Sequence, residues 1–502
     1  MIKNFENIKT LGQLKNSGYQ PISVKDEMRL NLIQFLKERK NPFYGIIGYD
    51  ETVIPDIQTA ILSKHNIILL GLRGQAKTKI ARLMVNLLDE YIPAIEGSEL
   101  NDDPLHPLSR YGKEKVEQMQ DDTPITWIHR NDRYTEKLAT PDVTIADLIG
   151  DVDPIKAASL KLPYSDERVI HYGLIPRSHR GIFVINELPD LQARIQVALF
   201  NLLQERDVQI RGFKVRLPLD VQFVFTANPE DYTNRGAIVT PLKDRIDSQI
   251  LTHYPKSIQI SKKITEQESK LTESQKNTIK VPELIKNIIE QIAFEARESE
   301  YVDSKSGVSA RLTISAYENV VSAAERRLFI NNEKNTTVRI SDLNGIIPSI
   351  TGKIELVYEG EQEGPVKVAH ILISKAIKKQ FVNYFPNPDN IKKLNQPNPY
   401  QEITNWFSKG NQIDILNDLP NSEYQKIISS IPGLKNLVNK FYKDEDDEIK
   451  YLLMEFALHG LAEYSLLSKH SLEYGLQFKD MLSSMFTLSE EEDSDDEENY
   501  LR

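Results

Sequence analysis

The chain has 502 residues, 40% of them hydrophobic, with 62 Lys and Arg against 73 Asp and Glu, a formal net charge of −11 and no cysteine. That length holds two or three domains, each with its own core, and the absence of cysteine excludes disulfides, thiolate metal sites and thiol nucleophiles and fits a reducing compartment. The acidic balance argues against a general grip on nucleic acid, which needs a basic surface, and no apolar run approaches the roughly 18 residues of a membrane helix.

The opening stretch MIKNFENIKTLGQLKNSGYQ lacks the apolar centre of a signal peptide, so a cytoplasmic protein without membrane insertion is expected. Residues 1–40 read as a helical lead-in, with Met28, Leu30, Leu32, Ile33 and Leu36 at helical spacing. Over residues 41–255 the apolar runs Ile67–Leu70, Ile125–Ile128, Ile182–Ile185 and Val221–Thr226 alternate with helical stretches, which predicts a parallel sheet with helices on its faces. Residues 256–385 read as a helical and then mixed segment, with helices over Val281–Arg327 and Val368–Ile377. The Pro- and Asn-rich stretch PNPDNIKKLNQPNPY, residues 386–400, is the best linker candidate. Residues 401–486 read as a further helical domain, and residues 487–502, with SEEEDSDDEE over Ser489–Glu498, as an acidic tail too poor in apolar residues to pack.

Five stretches carry chemistry. In GLRGQAKTKIARLM, directly after the run Ile67–Leu70, Gly71, Gly74, Gln75 and Ala76 form a loop that can curl its N–H groups round phosphates, and Lys77 and Thr78 can reach the phosphates and a Mg²⁺ ion. Ala76 stands where glycine is usual; alanine is the mildest replacement if the backbone there need not take positive φ. The run in GIFVINELPDL ends in Asn186 and Glu187, where a P-loop ATPase places the acidic pair that binds Mg²⁺ and activates water. Glu187 is the candidate general base, while Asn186 offers Mg²⁺ an oxygen without charge. The run in VQFVFTANPEDY delivers Asn228 to sense the γ-phosphate. Arg245 in LKDRIDSQI follows a Pro-Leu turn, and Arg311 in GVSARLTISAYENVV opens an amphipathic helix.

The order of these elements resembles the AAA+ ATPases, and within them the clade of magnesium-chelatase ATPase subunits and MoxR-type ATPases, over about Pro42 to Arg327. MoxR-type loops commonly carry alanine before the lysine, as here. NPFYGIIGYDE, residues 41–51, resembles the segment in which Ile47 and Gly48 pack over adenine. Pro141–Pro154 and His171–Gly181 fall where the clade has its helix-2 insertion and a neighbouring loop, and Val208–Leu217 falls where it has a hairpin before sensor 1.

The resemblance implies an α/β P-loop AAA+ fold with a helical lid, followed here by an extra C-terminal helical domain. It makes Lys77 and Thr78 Walker A, Asn186 and Glu187 Walker B, Asn228 sensor 1 and Arg311 sensor 2, with Thr78 and Asn186 as the Mg²⁺ ligands. Arg245 matches the arginine that reaches into a neighbouring subunit, with Arg235 in TNRG as the other candidate. An ATP-hydrolysing ring of six copies is therefore implied, which remodels or matures a protein client together with a von Willebrand A domain partner. Two other readings stay open: a true magnesium or cobalt chelatase subunit, against which the C-terminal addition and Asn186 count, and a nucleotide-binding scaffold with little hydrolysis.

Other features have plainer readings. His171 and His179 with Arg177 and Arg180 lack a carboxylate at ligand spacing, so no metal is expected there. The run Lys443–Glu448 lacks the central glycine of a Ca²⁺ loop, and Trp406 and Phe407 read as the start of a C-terminal core.

Overall fold

Continuous, mainly apolar runs give the first unit its sheet, and helices cover both faces. The computed structural model describes residues 5–163, 166–205, 207–210, 216–229, 237–394, 397–472 and 474–481, and the chain divides into two units, Met1–Tyr254 and Pro255–Arg502. Arg235, the acidic tail and the tip of the expected hairpin lie outside the described residues.

In the first unit, strands β1 (Ile67–Leu70), β2 (Tyr134–Leu138), β3 (Gly181–Asn186), β4 (Val221–Ala227) and β5 (Ser248–Leu251) form one sheet in the order β5-β1-β4-β3-β2. All its pairings are parallel, and β1, β4 and all but the last residue of β3 are buried. Because side chains alternate across a strand, Ile68, Leu70, Phe183, Ile185, Phe223 and Phe225 face one core with Ile195, Leu199 and Leu202 of helix α4 (Ala193–Gln204). Ile67, Leu69, Ile182, Val184 and Val224 face the other core, filled from α1 (Val24–Lys37), α2 (Val53–Leu62) and α3 (Lys77–Leu83). This is an α/β fold, with helices on both faces of a parallel sheet.

One expected strand sits elsewhere. Ile125–His129 pairs antiparallel with Tyr91–Ile95 in a separate two-stranded ribbon, and the place beside β3 belongs to β2, whose sequence is YTEKL. An edge strand with partly exposed residues needs no apolar run, so β2 carried little signal, while the periodicity of Ile125–His129 records a strand without naming its partner. Between β2 and β3, Gly150–Val152 pairs antiparallel with Ile170–Tyr172 and a helix, Pro154–Leu160, lies between them in sequence. Asp207–Gln209 pairs antiparallel with Arg216–Pro218 ahead of β4.

The second unit is mainly helical, with α5 (Ile258–Glu268), α6 (Glu283–Glu298), α7 (Arg311–Ile330), α8 (Pro365–Tyr384), α9 (Leu434–Phe441) and α10 (Asp447–Glu463). A small antiparallel sheet of β6 (Ile413–Leu416), β7 (Ser468–Leu472) and β8 (Gly475–Lys479), in the order β6-β8-β7, is added to it. One core runs from Ile279 to Phe478 and includes Ile391 and Tyr400 from the Pro- and Asn-rich segment expected as a linker, as well as Phe407. On α7 the fully buried Arg327 donates to Asp342 (3.1 and 2.9 Å), Thr336 Oγ1 (2.8 Å) and the Thr337 carbonyl (3.0 Å), so the helix opened by Arg311 is anchored near its other end. Among the described residues no helix is long and apolar enough to cross a membrane.

Candidate active site

The site begins where β1 ends. The Gly71 N–H donates to the Ala227 carbonyl (3.1 Å), so the loop leaves the sheet still tied to β4. A Cβ on Gly71 would collide with Thr252 Oγ1 and Gln75 Oε1. Those two atoms are themselves bonded, the Thr252 hydroxyl donating to Gln75 Oε1 at 2.6 Å. Gln75 is buried, and its carbonyl accepts from the Tyr49 hydroxyl (3.1 Å), which also donates to the His253 carbonyl (2.7 Å). Burial pushes the Tyr49 phenol up to about 12, so it remains a donor at neutral pH. Gln75 therefore holds the loop in place through both its side chain and its backbone carbonyl.

The loop turns through two left-handed residues, Gly74 at φ 73° and Ala76 at φ 59°. The condition attached to alanine at position 76 is thus not met: its backbone does take positive φ, at about 1–2 kcal/mol for an L-residue. The surrounding bonds hold it there, and α3 starts at the next residue.

Lys77, at the first position of α3, is buried, and its ammonium donates to the carbonyls of Gly71 and Leu72 and to Asn228 Oδ1 (2.6 Å). Asn228 follows β4 and donates from Nδ2 to Glu187 Oε2 (3.1 Å). Its amide thus lies between the lysine of the loop and the carboxylate at the end of β3, with the oxygen towards the cation and the nitrogen towards the anion. Glu187 takes a left-handed conformation, φ 54° and ψ 53°, directly after β3, and its N–H donates to Thr226 Oγ1 (3.1 Å). The Thr226 hydroxyl donates in turn to Asn186 Oδ1 (3.2 Å). Strain of this kind, held by neighbouring bonds, is characteristic of functional positions.

The structure brings together Gly71, Gln75, Ala76, Lys77, Asn186, Glu187 and Asn228. Ile47 and Gly48 lie in the segment that Tyr49 ties to Gln75 and that Lys79 of α3 ties through the Gly45 carbonyl (3.2 Å). Thr78 is the second residue of α3. Arg245 makes other contacts: it donates to Gln204 Oε1 (3.1 Å) and the Pro241 carbonyl (2.7 Å), with its guanidinium 5.1 Å from the Phe200 ring centre on α4. Arg311 is the exposed first residue of α7 in the second unit, its N–H donating to Ser309 Oγ (3.1 Å). Sequence reasoning passed over Thr226, Tyr49 and Thr252. Thr226 had a signal, a hydroxyl near the end of a mainly apolar run, two residues before Asn228; the other two act through contacts distant in sequence.

The donor set fits ATP and Mg²⁺. The loop presents a lysine ammonium beside its carbonyls, and the Thr78 hydroxyl and Asn186 amide are hard oxygen donors of the type Mg²⁺ takes. Asn186 brings no charge, so the pair has one carboxylate where two are usual.

The histidine and arginine cluster is knit into the fold. His179 Nδ1 accepts from the Asp220 N–H (3.0 Å), while Arg180 donates to the Pro93 carbonyl (2.7 Å) and the Tyr19 hydroxyl (2.8 Å) and pairs with Asp103 (3.0 Å).

A family model described as the Sigma-54 interaction domain matches residues 163–248, a stretch that contains Asn186, Glu187, Asn228 and Arg245. Among solved structures, similarity is found to subunits BchI and BchD of magnesium chelatase, at 17% identity over 64% of this chain and 98% of that chain, TM-score 0.33. NtrX from Brucella abortus in complex with ATP is similar at 12% identity over 73% of this chain and 69% of that chain, TM-score 0.36. A RuvB mutant from Thermotoga maritima is similar at 10% identity over 81% of this chain and 98% of that chain, TM-score 0.32.

Proposed function

We propose that the chain is an ATP-hydrolysing AAA+ enzyme of the MoxR and magnesium-chelatase type. The observation that carries this reading is the hydrogen-bonded series Lys77–Asn228–Glu187, at 2.6 and 3.1 Å, across the ends of β1, β4 and β3. A lysine to hold phosphate, a carboxylate to receive a proton and an amide whose polarity suits both have little purpose together except at a nucleotide whose terminal phosphate is attacked by water.

Lys77 exchanges its loop carbonyls for phosphate oxygens when nucleotide binds. Glu187 orients a water through its carboxylate and takes one of its protons as the water oxygen bonds to the γ-phosphorus and the bond to the bridging oxygen breaks, leaving ADP and phosphate. Asn228 holds Glu187 by its Nδ2 and presents its Oδ1 to the lysine, so that base and phosphate anchor keep a fixed spacing. Bound Mg²⁺, held through Thr78 and Asn186, supplies charge neutralisation on the phosphate oxygens.

The same reading gives Arg245 to the site of a neighbouring copy in a ring of six, with Arg311 as the sensor from the second unit. The ring remodels or matures a protein client, working with a von Willebrand A domain protein; the support for client and partner is the resemblance of the motif series. Isothermal titration with ATP and Mg²⁺ tests the core of the proposal. Lys77→Ala is expected to weaken ATP binding at least tenfold, whereas Glu187→Gln should bind ATP as the native chain does and lose turnover by 10² or more, within the range general-base removal gives. Normal turnover by Glu187→Gln would remove Glu187 from its role.

A scaffold that binds ATP with little hydrolysis is the second reading, favoured by Asn186, an uncharged residue whose Oδ1 already accepts from Thr226. ATP binding without turnover in the native ring would decide for it.

A further inference from the structure

The second unit carries a basic groove that the ATPase residues do not use. Along α8, Lys367, His370, Ser374, Lys375 and Lys378 lie three to four residues or one residue apart, and with Glu463 of α10 they line an open groove of about 380 Å³. Lys469 of β7 reaches it: its ammonium donates to Glu463 Oε1 at 2.6 Å and approaches Ser374 Oγ at 3.5 Å. The carboxylate in the lining is therefore already paired. Lys375 and Lys378 are exposed and lie 5.9 and 4.9 Å from the ring centres of Tyr301 and Tyr464, which position the ammonium groups without neutralising them. Lys367 pairs with Glu363. Four ammonium groups thus face two carboxylates. Burial and the Lys469 charge hold the His370 imidazole below its ordinary range, so it adds no charge at neutral pH.

The chain itself supplies an occupant of opposite charge. β8 pairs with β7 so that Lys479 lies opposite Ser468, and the chain leaves the sheet beside Lys469. Glu490–Glu498 then places eight carboxylates in nine residues. The eleven residues from Lys479 to Glu490 span up to about 36 Å when extended, while the helix from Lys367 to Lys378 is about 17 Å long. The acidic segment can therefore reach any part of the groove.

We propose that Glu490–Glu498 docks in cis on the groove formed by Lys367, Lys375, Lys378 and Lys469, and screens it from other acidic ligands. Single exposed ion pairs contribute little, so the contact depends on tethering, which places the segment at millimolar effective concentration. This inference stands apart from the ATPase reading and survives its failure.

The test is fluorescence anisotropy with a labelled peptide of residues 487–499 on the full chain. With the eight acidic side chains of its own segment changed to amides, the chain is expected to bind the peptide saturably and more weakly as salt rises. The native chain should bind it at least tenfold more weakly, because its own segment competes. Lys375→Gln with Lys378→Gln, added to the neutralised chain, should abolish binding while the thermal unfolding midpoint stays close to that of the neutralised chain. Equal binding to the native and neutralised chains, no binding to the neutralised chain, or binding that survives the lysine exchange would each overturn the proposal.

Discussion

Asn228 shows how much of the site depends on one atom pair. Its amide accepts from Lys77 and donates to Glu187 at once, which a carboxylate cannot do. Asn228→Asp would set a second anion against Glu187 and raise the pKa of the pair. ATP turnover is expected to fall tenfold or more with Kd for ATP changed less, and the pH profile of turnover to shift upward; an unchanged rate and profile would show that Asn228 does not position the base. His179 makes a different prediction. Burial and the Arg180 charge hold its imidazole at about 4, against an ordinary 6.5. The unfolded chain takes up a proton that the folded chain refuses as pH falls through that interval, so the contribution of this group is complete above 6.5 and lost towards 4. His179→Asn keeps an acceptor for the Asp220 N–H and removes the titration. Between about pH 7 and 4.5, urea unfolding should show the native chain losing roughly 2–3 kcal/mol more stability than the variant. At this scale the residue types of the site were legible in the sequence, since Lys77, Glu187 and Asn228 each end or follow an apolar run. The left-handed backbone at Ala76 and Glu187 was not, because neither residue type signals it.

At the scale of elements, strand ends do the positioning. β1, β3 and β4 run parallel and adjacent in the sheet, so the residues following them emerge at one edge, and three stretches distant in sequence meet there. Buried strands announce themselves by continuous apolar runs, which is why β1, β3 and β4 could be read from the sequence. β2 could not, its half-exposed edge position being compatible with Thr135, Glu136 and Lys137. The sheet of β6, β7 and β8 was missed for a related reason: SKHSL is mostly polar, and GLQFK is too short for its two large apolar residues to stand out. Helix packing in the second unit yields a direct test. Gly460 on α10 faces the Phe381 ring of α8 so closely that a Cβ would overlap it. Gly460→Ala should cost about 1–3 kcal/mol by overpacking, despite alanine's better helix propensity. A stabilised variant in thermal or urea unfolding would mean that the two helices are not so closely packed.

For the molecule as a whole, the two units carry different parts of the proposed machine. The first holds Lys77, Asn186, Glu187, Asn228 and Arg245, and the second Arg311 and the basic groove. Where one core ends and another begins was partly hidden in the sequence. Pro and Asn in residues 386–400 signal turns, but turns do not exclude burial, and Tyr400 is fully buried with its hydroxyl donating to the Pro386 carbonyl (2.5 Å). Arg245 bears on the whole assembly: it is bound to α4 residues and the Pro241 carbonyl within its own chain, so its catalytic contribution in the account comes from a neighbouring copy. An arginine supplied in this way contributes about 10³–10⁵ in rate. The most direct measurement is ATP turnover per chain against protein concentration with Mg²⁺, for the native chain, Glu187→Gln and Arg245→Ala. Specific activity is expected to rise with concentration in the native chain and to be lost in both variants, with an equal mixture of the two recovering part of it as each supplies the group the other lacks. Specific activity that is independent of concentration and unaffected by Arg245→Ala would contradict a site completed between copies.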